Sequence, residues 1–146
     1  MFALHQLCRF QSPTLYLVHK GFVVAFALIG IALCEHADST LENAYKNRQS
    51  NLQVRGEGVV TKILPDDREG SRHQRFLLRL STGQTLLVAH NIDLAPRINR
   101  LRTGNTVAFY GEYEWNSKGG VIHWTHLDPS GQHIAGWLKH DGKTYQ

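Results

Sequence analysis

The chain has 146 residues, of which 42% are hydrophobic, with 16 basic and 12 acidic side chains and two cysteines. Domains typically run about 100–150 residues, so this length has room for one small domain. Arg9 and Lys20 precede the first acidic residue, Glu35, and the remainder carries 14 basic and 12 acidic groups, too even a balance to put phosphate binding first.

Chain order begins with a leader. Gly21–Leu33 is a 13-residue apolar run behind Lys20, the length of a signal-peptide core and shorter than the ~20 residues that span a bilayer. Ala32 and Cys34 form a small-x-small pair, so residues 1–34 read as a cleaved signal peptide and the product as exported, periplasmic or secreted. Lipidation at Cys34 and a retained membrane anchor are the lesser alternatives. Removal of the leader takes both Cys8 and Cys34, which leaves no thiolate for a metal or a nucleophile.

Residues 35–51 are expected to hold a short helix. Ser39-Thr40-Leu41-Glu42 has capping-box spacing, and Leu41, Ala44 and Tyr45 share a face suited to plugging one end of a barrel. From residue 52 to 146 the period changes to two. Strands are predicted over Gln53–Leu64, Gln74–Leu80, Gln84–His90, Thr106–Trp115 and Val121–His126. Gly56 and Gly58 mark bending in the first, and Thr82-Gly83 turns the second into the third. A brief helix opened by Pro96, with Ile98 and Leu101 inward, is predicted between strands three and four. This β-β-β-α-β-β order is that of a five-stranded OB barrel, an all-β fold. Ser130–Gln146 is expected to pack as an extension.

The chemistry concentrates late. Imidazoles and a carboxylate in His123-Trp124-Thr125-His126-Leu127-Asp128, followed by His133, are ligands for zinc and related ions. In a regular strand, however, residues three apart face opposite ways, so His123 and His126 share an ion only if the strand ends or bends near Thr125. His123, His126 and His133 are therefore the candidate metal set, weighed against a hydrogen-bonded structural seam. His90 continues the inward face of Leu86 and Val88 and needs a buried partner, for which Asp128, Glu112 or a ligand is available. Asp93 reads chiefly as a helix N-cap, and Arg97 as a residue able to reach the barrel mouth. Glu112 and Glu114, two apart on one strand face, read as exposed.

The sequence contains no nucleophile elbow, phosphate loop or His-Glu-x-x-His motif. OB barrels that bind nucleic acid use aromatic platforms on strands two and three. Here the outward set on those strands is Arg75, Leu77, Arg79, Leu87 and Ala89, whereas Tyr110, Tyr113, Trp115, Trp124 and Trp137 lie further on. That distribution disfavours nucleic acid and suits a small polar ligand.

Four stretches stand in order: His73-Gln74-x-Phe76, His90-Asn91-Ile92-Asp93-Leu94-Ala95-Pro96-Arg97, Gly111-Glu112-Tyr113-Glu114-Trp115 and His123-Trp124-Thr125-His126-x-Asp128-Pro129. With Gly136-Trp137 and Tyr145, they resemble the bacterial family of unknown function DUF3465 over about Leu52–Tyr145. The resemblance implies a small exported domain and carries over no catalytic role. The leading functional expectation is a binding module holding a small polar, saccharide-like or oligonucleotide ligand among His73, His90, Asn91, Asp93, Arg97, His123, Trp124, His126, Asp128 and Trp137. Its alternative is a histidine-dependent, metal-assisted hydrolase, a nuclease or phosphodiesterase, in which Arg97 stabilises developing negative charge.

Overall fold

The computed structural model describes residues 39–146, and the expected leader lies outside them. A short helix, α1 (residues 39–46), is followed by β1 (Leu52–Ile63), β2 (His73–Arg79), β3 (Thr85–Asn91), β4 (Thr106–Glu114), β5 (Val121–His123), β6 (Trp137–His140) and β7 (Lys143–Tyr145). Strands β1-β2-β3-β5-β4 pair in that order, and β4 pairs back onto β1, closing a five-stranded barrel. All these pairings are antiparallel except β3–β5, which is parallel. The OB order expected from the sequence is thus the observed strand order.

Alternation along each strand supplies the core. Phe76, Leu78, Leu86, Val88, Val107, Phe109, Tyr113 and Ile122 are fully buried, and the intervening residues face outward. Leu41 and Ala44 of α1 join the same cluster, and the Trp115 indole N–H donates to Tyr45 O at 3.1 Å, fastening the helix over one end. Gly56 leaves room for a ring, since a Cβ there would stand 2.6 Å from Phe109 Cζ. The bend of β1 itself falls further on, where the register with β2 shifts between Val60 and Lys62.

Two expectations are corrected and a third, the packing of the tail, gains its detail. The helix expected after Pro96 is replaced by turns across residues 92–104. Ile98 is buried there as anticipated, but its backbone pairs with a side chain: its N–H donates to Gln74 Oε1 at 2.9 Å and its carbonyl accepts from Gln74 Nε2 at 3.0 Å. A helix would use those groups internally. The fifth strand stops at His123 rather than His126, because Trp124 takes φ 49°, outside strand geometry. The tail forms the β6–β7 hairpin, whose turn is Asp141-Gly142, both at positive φ (49° and 73°). Asp-Gly favours that hairpin turn. Strand β6 pairs with Ala108–Tyr110, continuing the β4 edge that β5 occupies at Glu112–Glu114.

Candidate functional site

Where β5 ends, the chain turns sharply across the outer face of the barrel. Two glycines make that turn possible. A Cβ on Gly111 would collide with His123 O and stand 2.8 Å from Thr125 Cγ2, and one on Gly136 would collide with Trp124 O. With both side chains reduced to hydrogen, residues 123–125 press against β4 and the approach to β6. Trp124 is held there in a left-handed backbone conformation that bulky residues seldom adopt, a form of strain found at binding sites.

The turn opens a cleft of about 340 Å³. His73 from the start of β2 and Asn91 from the end of β3 form one wall, and they are register partners. His123, Trp124 and His126 form the other, with Ser71, Ala89 and Leu94 completing the lining. The His126 Nδ1 lies 2.6 Å from Leu127 O; a carbonyl can only accept, so Nδ1 carries a proton and donates it there.

Beside the cleft, the loop after His126 folds back over β4 and β5. Asp128 organises it, accepting backbone N–H groups from Ser130 at 2.9 Å and from Gln132 and His133 at 2.8 Å, together with the Ser130 hydroxyl. The hydroxyl and backbone bonds from Ser130 are foremost in holding its carboxyl down to about 2. This loop presents His133, whose ring stacks on Trp124 with centroids 4.0 Å apart and planes 7° apart. Its Nε2 lies 2.6 Å from Glu112 Oε2 and its Nδ1 lies 3.0 Å from Ile134 O. Both nitrogens face acceptors, so the ring satisfies both only as imidazolium. Desolvation lowers its pKa, but the Ile134 and Glu112 bonds outweigh it and the net shift is upward.

Glu112, read from the sequence as exposed, has only 17% of its side chain exposed. Its other oxygen, Oε1, stands 3.3 Å from His123 Nε2, without the alignment of a hydrogen bond. Burial lowers the His123 pKa against the opposing pull of Glu112 and Glu114.

Other expected residues have different partners. His90 is fully buried, as its parity required. Its Nε2 bonds Pro96 O at 3.2 Å and its Nδ1 bonds Thr125 Oγ1 at 2.8 Å, so neither Asp128 nor Glu112 is its partner. Because Pro96 O only accepts, the proton is on Nε2 and the threonine hydroxyl donates to Nδ1. Desolvation, more than the nearby His126 and His73, lowers its pKa to about 4. Asp93 caps no helix; its oxygens take the Arg72 backbone N–H at 2.7 Å and Nε at 2.6 Å, tying the β1–β2 loop to the end of β3. Arg97 pairs with Asp66 at 2.5 Å. Trp137 lies on the neighbouring β4–β6 surface, with Arg55 5.6 Å and Lys139 4.6 Å from its ring centroid. Among the described residues, the side chains whose ligand atoms lie within 4.8 Å of one another are Glu112, Glu114 and His123, so His123, His126 and His133 are not gathered as one ligand set.

These features define a class: a small OB-type β-barrel extended by a C-terminal hairpin, with an imidazole-lined cleft on its outer face. The chain belongs to the family described as protein of unknown function (DUF3465), whose sequence profile matches residues 22–146. The match reaches further toward the N-terminus than the residue resemblance and takes in residues 22–33 of the apolar run. No curated protein matches the chain.

Proposed function

We propose that this domain is an exported binding module that holds a small, uncharged polar ligand of saccharide type in the cleft between His73, Asn91, Trp124 and His126. One observation carries the reading: among the described residues, none that lines the cleft is Lys, Arg, Asp or Glu. Recognition of a phosphate or an oligonucleotide draws on clustered cations. A neutral hydroxylated ligand needs donors and acceptors beside an apolar surface, and imidazole, amide, Ser71 and indole supply these. The volume of about 340 Å³ is near the lower bound of roughly 300 Å³ for small-molecule sites, which suits one or two rings. The signal-peptide pattern of residues 1–34 supports export, with the cleft acting outside the cytoplasm. The hydrolytic alternative assigned charge stabilisation to Arg97, which is engaged with Asp66 and does not line the cleft.

The test is ligand-detected NMR on the full chain with a panel of mono- and disaccharides, repeated with short single-stranded DNA. Saturation transfer from a saccharide, lost in Trp124→Ala and at least tenfold weaker in Asn91→Ala, is the expected result. Binding of DNA with strong salt dependence and no response to any sugar overturns the reading.

A further inference from the structure

We propose that Glu112, Glu114 and His123 form a binding site for one divalent transition-metal ion of the zinc class. This goes beyond the ligand-binding reading and does not rest on it.

The site follows from sheet register. Glu112 pairs across β4–β5 with His123, and Glu114, two residues on, shares its outward face. Their ligand atoms lie within 4.8 Å of one another. Zinc bonds to nitrogen and carboxylate oxygen are about 2.0–2.2 Å, which separates tetrahedral donors by roughly 3.4 Å. The His123 Nε2 to Glu112 Oε1 distance is already 3.3 Å. Only Glu114 needs to swing inward.

Two independent observations indicate that a group belongs there. His123 Nε2 is buried 3.3 Å from Glu112 Oε1 without an aligned hydrogen bond, although a nitrogen so placed normally makes one. On the other side of Glu112, its β1 register partner Gln53 has both amide atoms buried and unpartnered. Gln53 and His123 are thus the register neighbours of Glu112 on either side, and each has buried polar atoms that make no aligned hydrogen bond. A metal ion would take the lone pair of His123. Charge agrees: Glu112 and Glu114 bring two carboxylates to the site, and a cation offsets them. The Glu112–His133 bond is then the outer hydrogen bond that orients a ligating carboxylate. One nitrogen and two oxygens favour zinc or its neighbours over magnesium and calcium, which take oxygen alone. His123 also lines the cleft, so the ion would sit at its edge.

The full chain, purified in mild detergent and stripped with a chelator, is titrated calorimetrically with zinc chloride. One ion per chain is expected, with at least tenfold weaker binding in Glu114→Gln and less than threefold change in His126→Gln. Glu114 is chosen because Glu112 also anchors the loop. Absence of saturable uptake, uptake indifferent to Glu114→Gln, or calcium and magnesium binding as tightly as zinc overturns the site. Nitrogen-detected NMR of the histidine rings in the unmutated chain decides the matter should Glu114→Gln unfold. His123 Nε2 moves on zinc addition if the site is right, and rings other than His123 move if it is wrong.

Discussion

The imidazole of His133 lies flat on the indole of Trp124, centroids 4.0 Å apart and planes 7° apart, while its Nε2 holds Glu112 at 2.6 Å. One ring therefore couples the loop after His126, the outer face of β4 and the cleft wall. An imidazolium so placed gains from the indole face as well as from the carboxylate.

Trp124 fluorescence therefore reports the state of His133. The His133 pKa is raised, so an emission titration is expected to have its midpoint above the ordinary histidine value of about 6.5. Glu112→Gln moves the midpoint down, and His133→Gln removes the transition. The linked stability is fully present below the unfolded-state pKa and is lost as pH rises through the folded-state value. A midpoint at or below the unfolded value contradicts the pairing.

His90 has the opposite sign. Its folded pKa of about 4 means that the unfolded chain takes up a proton that the native ring refuses. Stability contributed by the neutral ring is complete above about 6.5 and falls as pH drops toward 4, by about 3 kcal/mol across the interval. Urea denaturation at several pH values measures the slope, and His90→Gln, which keeps a donor toward Pro96 O, flattens it. An unchanged slope assigns the acid sensitivity to other groups.

Gly136→Ala tests the packing of the turn. Its new methyl would collide with the carbonyls of Trp124 and Tyr110, backbone atoms that cannot swing aside. A loss of about 1–3 kcal/mol is expected in thermal denaturation. Gly136 is not at positive φ, so backbone strain does not add to the effect. A loss under about 0.5 kcal/mol, the range of ordinary surface changes, would remove the collision as the cause.

Gln74→Leu tests the clamp that stands where a helix was expected. The residue is 2% exposed and Ile98 is 1% exposed, so the swap strands one N–H and one carbonyl out of reach of water. Leaving buried groups unpaired costs about 1–3 kcal/mol each, and a total loss of roughly 2–4 kcal/mol is expected from chemical denaturation. A change under 1 kcal/mol would mean that the segment re-pairs by itself.

Much of the architecture was legible in alternation. Phe76, Leu78, Leu86, Val88, Val107 and Phe109 share the inward parity that a half-buried strand imposes, and the same parity placed His90 inside. The hairpin at Asp141-Gly142 rests on a dipeptide that favours its turn, in a tail whose two short strands carry few apolar residues. The segment after Pro96 misled because Pro and spaced apolar residues fit a helix start and a clamped turn equally well. Which one forms depends on Gln74, 24 residues away.

By itself, then, the sequence determined the strand order and the inward faces, because side-chain period is a local property of the chain. It also determined the stock of imidazole, indole and carboxylate groups near the C-terminus. Only the tertiary structure decided which of these meet. The β4–β5 register set Glu112 against His123, the bend at Trp124 turned His126 into the cleft, and the Asp128 loop carried His133 onto Glu112. Each contact joins residues through strand pairing or a turn whose geometry rests on distant partners. No local pattern encodes that register.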